Sequence, residues 1–306
     1  MRTRRPARRA RRRRSRRTIA LHPYDSAVIL EGADVRLNYF VTGEGEPITL
    51  LHGFTQSGRS WQEVVSAMPA GWRFVVPDLR GHGETRLRPG AACTMDACAT
   101  DLEMLWGHLG VDRTHLVGYS MGGRLALHVA ARRPERLLSL LTIGAHAGLE
   151  PQAREGRKLG DQALAERIEK DGVEAFVDYW SGLPLFAGLE RRGPSFVAQL
   201  RAERMKNTVA GLAASLRGMG AGVMEPVWDQ LGRVNVPCTF VAGQLDHEYV
   251  ASARRLAASV PNGLLAVVPR TGHAIHQERP EAFTRVLAAH LAGTRTSEED
   301  SSSTSA

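Results

Sequence analysis

The sequence predicts a doubly wound α/β fold, in which a mostly parallel sheet is flanked by helices and carries an inserted helical lid. Apolar runs of strand length alternate with helical stretches between residues 47 and 143, as in parallel sheets with helical crossovers. One apolar run enters a helix through a glycine-flanked serine. The alternation stops between residues 150 and 230, where charged helical stretches replace strands, and it resumes at residue 236. Such an insertion predicts a lid over the carboxyl ends of the strands.

The predicted elements follow in chain order. Residues 28–41 predict two strands that turn at residues 31–34. Strands at 47–52, 72–77, 114–119 and 136–143 then alternate with helices near 59–67, near 95–109 and after residue 120. The lid is expected to hold four helices, at 154–170, 173–180, 195–207 and 209–218. Two further strands complete the sheet, one running from residue 236 toward Asp246 and one at 264–269.

The serine turn is the most informative motif of the chain. Residues 118–122, Gly-Tyr-Ser-Met-Gly, fit the G-x-S-x-G nucleophile elbow, which stands between a strand and a helix. Both are predicted here, because residues 115–119 are mostly apolar and residues 124–131 are good helix formers. The tight turn needs small flanking residues and lifts the Ser120 hydroxyl above the sheet edge. It also leaves the Met121 N–H at a helix N-terminus, where negative charge could gather.

An elbow serine needs a base, and the base needs a carboxylate that orients it. In this architecture the chain order is serine, acid, histidine. Asp246 and His273 each follow a predicted strand downstream of Ser120, so we assign Asp246 as the orienting acid and His273 as the base. Three neighbouring residues are alternatives that we expect to have other roles: His247, Glu248 and His276.

The second donor of an oxyanion hole is expected after the third strand. The strand at 47–52 leads into His52-Gly53-Phe54, and the Phe54 N–H is our candidate, since glycine lets the backbone approach a ligand closely. An ordinary strand-to-helix turn is the alternative. We interpret residues 78–85 mainly as loop architecture rather than as catalytic residues.

Length and composition exclude several classes of protein. The chain of 306 residues is 43% apolar, which suits one large domain, and it has no apolar run long enough to span a membrane. Its three cysteines form neither a disulfide framework nor a metal-binding pattern. We therefore expect a cytoplasmic protein without a metal or other cofactor.

The net charge of +8 comes from the N-terminus. Eleven of the 40 basic residues lie in residues 1–17, and the other 29 are outnumbered by 32 acidic residues. We expect residues 1–26 to be a disordered extension, 27–293 the folded domain, and 294–306 a disordered tail. The extension could bind nucleic acid or an anionic surface, or serve in targeting, but an over-long start of the reading frame is the interpretation we favour. Its deletion through residue 17 should leave activity unchanged.

Arg124 suggests an anionic ligand. It lies four residues after Ser120, on the same face of the elbow helix, and that face is normally buried. A guanidinium there needs either a salt bridge to Asp or Glu or a carboxylate on the substrate. The lid adds more basic residues and several aromatic residues, so it lacks the apolar character expected over a lipid ester: Arg154, Arg157, Lys158, Arg201, Arg204, Arg217, Tyr179, Trp180 and Phe186.

With these motifs, the chain resembles the α/β-hydrolase superfamily and, more closely, its 2-succinyl-6-hydroxy-2,4-cyclohexadiene-1-carboxylate synthase family. The resemblance spans about residues 27–290. Its core strings, at 51–61, 78–85 and 117–127, are shared by many hydrolases, whereas the strings in the lid are specific: D-Q-A-L-A-E-R-I-E-K-D-G-V-E-A-F-V-D-Y-W (161–180), L-P-L-F (183–186) and G-L-A-A-S-L-R-G-M-G (211–220).

The resemblance implies a carbon–oxygen lyase of menaquinone biosynthesis, which removes a proton and expels pyruvate from a small substrate with several carboxylates. Ser120, activated by His273 and Asp246, would be the base, and no acyl-enzyme would form. The oxyanion hole of Phe54 and Met121 would stabilise the resulting charge. The family's substrate contacts would correspond to Tyr119, Arg124, Arg154, Trp180 and Arg204.

Two segments depart from the family pattern, at the lid entrance and at one wall of the pocket, and neither involves the triad. Residues 145–150 lack an expected proline before the glycine, and residues 221–226 read A-G-V-M-E-P where a Thr-Gly-Gln-Pro type of string is typical. The alternative enzyme is a serine carboxylesterase or C–C hydrolase that works through an acyl-enzyme. A non-catalytic binding protein on the same fold is a further alternative, and we expect no nucleic-acid binding by the folded domain.

Overall fold

The computed structural model describes residues 27–303, and within this range the chain forms nine strands and nine α-helices. The strands are β1 Val28–Glu31, β2 Val35–Thr42, β3 Glu46–Leu51, β4 Trp72–Pro77, β5 Arg86–Leu87, β6 Thr114–Tyr119, β7 Leu137–Ile143, β8 Cys238–Gly243 and β9 Gly263–Val268. The helices are α1 Gln62–Ala67, α2 Met95–Leu109, α3 Met121–Arg132, α4 Pro151–Ser181, α5 Pro194–Arg204, α6 Val209–Met219, α7 His247–Ser259, α8 Ile275–Glu278 and α9 Pro280–Ser303.

The strands form one sheet in the order β1-β2-β4-β3-β6-β7-β8-β9, with β5 paired to β2. The pairs from β4 to β9 are parallel, and the pairs that involve β2 are antiparallel. The predicted α/β fold with a mostly parallel sheet is therefore confirmed. Because β3, β6, β8 and β9 run in the same direction, the loops after their carboxyl ends lie at one edge of the sheet.

Helices cover both faces of this sheet. On one face, α2, α3 and α7 contribute Trp106, Leu125 and Leu256 to a buried cluster. On the other face, α1 and α9 contribute Val64 and Phe283 to a second cluster with side chains of β3 and β4. Burial on both faces explains why the central strands are continuous apolar runs rather than alternating ones.

The lid occupies the segment in which the strand pattern stops. Helix α4 and helix α6 pack against each other through a third apolar cluster that includes Ile168, Phe176 and Leu216. Gly172, with φ 81° and ψ 172°, interrupts α4 between the two helices predicted at 154–170 and 173–180. Between α4 and α5, the chain forms a 3-10 segment at Pro184–Arg192.

Some boundaries differ from the prediction. Strand β5 was not predicted, since two residues carry no periodic pattern. Helix α9 continues to Ser303, past the predicted domain end at residue 293, because no proline follows Pro280 to end it. The predicted disordered extension, 1–26, and residues 304–306 lie outside the described range. None of the helices within residues 27–303 combines the length and apolar composition of a membrane span.

The 78–85 loop has the architectural role that we expected. The buried Asp78 carboxylate accepts hydrogen bonds from the Gly58 and Glu84 amides, at 2.7 and 2.8 Å. The Arg80 guanidinium lies between Asp34 and Asp101 and donates to both carboxylates. These bonds keep the loop after β4 beside the loop after β3.

Candidate active site

Ser120 stands at a strained turn between β6 and α3. Its backbone has φ 52° and ψ −109°, a left-handed conformation that costs about 1–3 kcal/mol for a residue with a side chain. The turn also brings α3 against the loop after β3, so that a Cβ atom at Gly122 would overlap the Leu51 and His52 carbonyl oxygens. Glycine at this position is what lets the elbow form with Ser120 at its apex.

The structure brings the three predicted catalytic residues together. His273, after β9, has Nδ1 at 2.7 Å from Asp246 Oδ2 and Nε2 at 3.0 Å from Ser120 Oγ. Because the Nδ1–H group donates a hydrogen bond to the carboxylate, Nε2 carries the lone pair and accepts a hydrogen bond from the serine hydroxyl. The imidazole is 2% exposed and lies between the rings of Tyr119 and Tyr249, with centroids at 5.3 and 4.5 Å. This arrangement can withdraw the proton of Ser120.

Two backbone amides at the site are free to bind an anion. Neither the Phe54 N–H nor the Met121 N–H donates to an acceptor within residues 27–303. Met121 is the first residue of α3, so its N–H is one of the unpaired donors at the positive end of the helix dipole. Both residues border the cavity that Ser120 opens into. These are the two amides that the sequence predicts as oxyanion donors.

The cavity lies between the sheet edge and the lid. Ser120 and His273 line it, together with five other predicted site residues: Phe54, Tyr119, Met121, Arg124 and Trp180. Its volume is about 90 Å³, whereas typical ligand pockets measure about 300–1,000 Å³. The lid must therefore move for a ligand of ordinary size to enter.

Arg124 is a partly buried cation that forms no direct ion pair within residues 27–303. Its guanidinium lines the cavity and donates to the Met219 carbonyl oxygen at 2.8 Å. No Asp or Glu lies within ion-pair distance of it in the described range, so the salt-bridge alternative does not apply there. Burial lowers the pKa of Arg124 to about 10, and the group still carries its charge at neutral pH. A partly buried positive charge of this kind favours a carboxylate ligand.

Tyr119 and Trp180 complete a partly aromatic wall. The buried Tyr119 packs on His273, and burial raises the pKa of its hydroxyl well above its usual value, so the hydroxyl remains protonated. The buried Nε1 of Trp180 has no hydrogen-bond partner within residues 27–303. An unpaired indole N–H beside the cavity is available to a ligand acceptor.

Two of the predicted substrate contacts do not line this cavity. Arg154 points away from it, because its guanidinium binds Glu225 and the carbonyl oxygens of Gly222 and Val223. Arg204 is 1% exposed, donates to Ser181 Oγ at 2.5 Å and borders a separate cavity of about 290 Å³. Helical spacing alone could not show which face of the lid each arginine occupies.

Four titratable residues of the cavity were not predicted as site residues. Arg157 and Asp161, one turn apart on α4, form an ion pair at 2.7 Å at the cavity wall. His146 and Tyr249 also line the cavity, and burial lowers the pKa of His146 to about 3, which leaves it neutral. The rule that ligands bind after the carboxyl ends of strands could have found His146, which follows β7, and Tyr249, which follows β8.

None of the three alternatives to Asp246 and His273 lies in the hydrogen-bonded arrangement with Ser120. His276 is buried between Trp61 and Tyr119, with ring centroids at 4.5 and 4.4 Å, and its two nitrogens have no partner within residues 27–303. His247 and Glu248 occupy the first turn of α7. There the carboxylate of Glu248 lies near the positive end of the helix dipole.

Comparison with known proteins gives concordant matches. The profile of the alpha/beta hydrolase fold family matches residues 46–280. A Bacillus subtilis (strain 168) protein, provisionally named 2-succinyl-6-hydroxy-2,4-cyclohexadiene-1-carboxylate synthase, is 34% identical over 261 residues, which are 83% of this chain and 95% of that protein. The Klebsiella pneumoniae enzyme of the same name is 30% identical over 246 residues, covering 80% and 93% of the two chains. The solved structure of MenH from S. aureus superposes with a TM-score of 0.80 at 28% identity, covering 84% and 98%.

Proposed function

This chain belongs to the alpha/beta hydrolase fold family and, within it, to the 2-succinyl-6-hydroxy-2,4-cyclohexadiene-1-carboxylate synthases, and from that membership we propose that it is a carbon–oxygen lyase of menaquinone biosynthesis. The substrate would be 2-succinyl-5-enolpyruvyl-6-hydroxy-3-cyclohexene-1-carboxylate. The products would be the cyclohexadiene and pyruvate. The observation that carries the proposal is a Ser-His-Asp arrangement opening into a cavity lined by a partly buried guanidinium, Arg124, that has no direct ion pair in the described range.

The difference between substrate and product defines the chemistry. The substrate has one ring double bond, C3=C4, and the product has two, C2=C3 and C4=C5. The change requires loss of the proton at C2 and of the enolpyruvyl oxygen at C5, a 1,4-elimination. The C2 proton is acidic because it lies beside the ketone of the succinyl group. Its removal places negative charge on the ketone oxygen, and the departing enolpyruvate takes up a proton on carbon to become pyruvate.

Each part of that reaction has a matching group in the site. His273 draws the proton from Ser120, and the Ser120 oxygen removes the proton at C2. The Phe54 and Met121 amides then bind the ketone oxygen as charge develops on it. Asp246 stabilises the imidazolium that forms. Serine serves as a base in this scheme, so the reaction passes through no covalent intermediate.

Arg124 would bind a substrate carboxylate. Its guanidinium is partly buried and forms no direct ion pair within residues 27–303, and a substrate carboxylate would supply a direct counter-ion. Trp180 and Tyr119 would contact the same substrate from the wall of the cavity. Arg154 and Arg204 would need a rearrangement of the lid to reach it, since their present partners lie outside this cavity.

A cytoplasmic location and a small anionic substrate complete the proposal. The three cysteines are buried free thiols, which suits a reducing compartment. The substrate class rests on Arg124 and on the names of the similar proteins. No role for nucleic acid is proposed for the folded domain.

Product analysis of the purified protein tests the reaction. We expect one equivalent of pyruvate, and one of a conjugated diene detected by its ultraviolet absorbance, from each equivalent of the enolpyruvyl substrate. An assay with activated esters on the same sample tests the hydrolase alternative. A burst of ester product with a stable acyl group on Ser120, and no pyruvate from the enolpyruvyl substrate, would replace the lyase with the esterase.

A further inference from the structure

The loop that carries the catalytic histidine is held by one buried carboxylate. Glu278 Oε2 accepts the Gly272 amide at 2.8 Å, and Glu278 Oε1 accepts the Ala274 amide at 3.2 Å. These two amides flank His273, and the Glu278 side chain is only 2% exposed. A single rigid group thus binds the backbone on both sides of the base, which restricts the direction in which the imidazole points.

Gln56 holds the oxyanion loop through its backbone amide and its side chain, and His52 Nδ1 lies 2.8 Å from the Gly53 carbonyl oxygen of the same loop. Gln56 donates its backbone N–H to the Gly53 carbonyl oxygen at 3.1 Å and accepts the Gly53 N–H at 3.2 Å through Oε1. The Gly53 carbonyl and the Phe54 N–H belong to the same planar peptide. Fixing the Gly53 oxygen therefore fixes the direction of the Phe54 N–H, the proposed oxyanion donor.

One hydrogen bond joins the two loops. Gln56 Nε2 donates to Gln277 Oε1 at 2.7 Å, and both side chains are buried. Gln277 is the immediate neighbour of Glu278, so the bond connects the residues that orient Phe54 with those that orient His273. No other residue pair of the described chain gives a side-chain hydrogen bond between these two loops.

The lid closes over this connection. In the 3-10 segment Pro184–Arg192, the Arg192 guanidinium donates to the Gln277 carbonyl oxygen and also binds Glu63 at 2.9 Å. In the same segment, Gly188 lies so close to Glu278 that a Cβ atom there would overlap the carboxylate. The lid thus bears directly on the residues that hold the catalytic loops.

We propose that Gln56, Gln277 and Glu278, together called the clasp, are positioning residues that set the distance between the base and the oxyanion donors. Contacts of the lid segment 184–192 with Gln277 and Glu278 would preserve the hydrogen bonds of the clasp. The inference rests on the proposed function, in which Ser120 removes the C2 proton while the backbone amides stabilise the negative charge that develops on the ketone oxygen. These two atoms are a fixed distance apart in the substrate, so the His273–Ser120 pair and the Phe54 amide must keep a matching separation. With segment 184–192 open, the separation between the His273–Ser120 pair and the Phe54 amide would vary. It would become fixed when the segment closes over a bound ligand.

A pair of substitutions at one position tests the clasp. Gln277→Leu removes the acceptor of the Gln56 amide, whereas Gln277→Glu keeps one. We expect Gln277→Leu to lower kcat about 10–100-fold with KM changed less than about three-fold, since a 1 Å misplacement can cost about 100-fold. We expect Gln277→Glu to retain most of the wild-type kcat. Unchanged kcat in Gln277→Leu, or an equal loss in both variants, would overturn the clasp.

Two further variants separate positioning from folding. Ser139→Ala removes buried hydrogen bonds to His115 and His290, far from the site, and should lower Tm without lowering kcat. Glu278→Gln keeps the shape of the side chain but leaves one loop amide without an acceptor, so it should lower kcat even if Gln277→Leu does not fold. If kcat falls in proportion to Tm in all of these variants, including Ser139→Ala, the proposal is contradicted.

The assay also distinguishes a failed clasp from a failed function. If the wild-type protein releases no pyruvate, the proposed reaction is wrong, and the clasp is then tested by the rate at which a fluorophosphonate labels Ser120. That labelling needs the same base and the same oxyanion donors. Slower labelling of Gln277→Leu than of Gln277→Glu supports the clasp, and equal rates overturn it.

Discussion

Arg124 shows how a single residue can indicate a ligand. A guanidinium shielded from water is unfavourable unless its charge is matched. Arg124 donates to the Met219 carbonyl oxygen, whereas Asp161, on the wall of the same cavity, forms its ion pair with Arg157. Under the proposed function, a substrate carboxylate would pair directly with this guanidinium.

Replacing Arg124 should therefore weaken catalysis more than it weakens folding. We expect Arg124→Ala to lower kcat/KM by about 2 kcal/mol of transition-state binding, about 30-fold, in pyruvate-release kinetics. The control is Arg201→Ala, which removes a lid arginine whose partners Glu174 and Asp178 are exposed. This variant should leave kcat/KM nearly unchanged, because Arg201 does not line the cavity and exposed ion pairs contribute little to stability. Equal losses of kcat/KM in the two variants would show that Arg124 does not bind the substrate.

Residues tied to a local pattern could be predicted from the sequence, and residues that depend on lid packing could not. Ser120, Asp246 and His273 each follow an apolar strand, and parallel strands bring such positions to one edge. Arg154 and Arg204 lie on lid helices whose rotation is set by contacts with residues far away in sequence, such as Glu225. No periodicity within the helices encodes that rotation.

At the scale of elements, the lid is a small unit with its own core. Phe176 of α4 is fully buried against α6, and its ring lies 6.2 Å from Phe54 and 5.7 Å from Trp180. The same side chain thus supports the lid and the cavity wall. The cavity is too small for a typical ligand, so this packing must also allow the lid to open.

Phe176→Ala should loosen the lid selectively. Truncation of a buried Phe costs about 3–5 kcal/mol, and here the loss falls on the contact between α4 and α6. We expect faster hydrogen exchange in these two helices and little change in the sheet. Phe283→Ala is the matched control, since Phe283 is equally buried but packs in the core beneath α9. Faster exchange in the lid of both variants, to the same extent, would show that the lid does not behave as a separate unit.

At the scale of the whole molecule, buried histidines link stability to pH. Burial lowers the pKa of His52 and His290 to about 4, and that of His82 and His276 to about 3. In the unfolded chain these groups have a pKa near about 6.5. Below that pH the unfolded state binds more protons than the folded state, so their contribution to stability is complete above pH about 6.5 and is lost as the pH falls.

The free energy of unfolding should consequently fall steeply between pH about 6.5 and 5. Each neutral buried histidine adds a slope of up to about 1.4 kcal/mol per pH unit. His290→Gln removes one such group, and we expect a shallower dependence in that variant, measured by urea unfolding at a series of pH values. A dependence that is flat in the wild-type protein, or equally steep in the variant, would contradict this explanation.

The account as a whole depends on one hydroxyl acting as a base, and the rate of pyruvate release by Ser120→Ala tests it most directly. The wild-type protein should release pyruvate from the enolpyruvyl substrate. The variant, folded to the same Tm, should do so about 10²–10⁴-fold more slowly, the usual contribution of a positioned base. Release by Ser120→Ala at the wild-type rate would show that the proton at C2 is removed by another group.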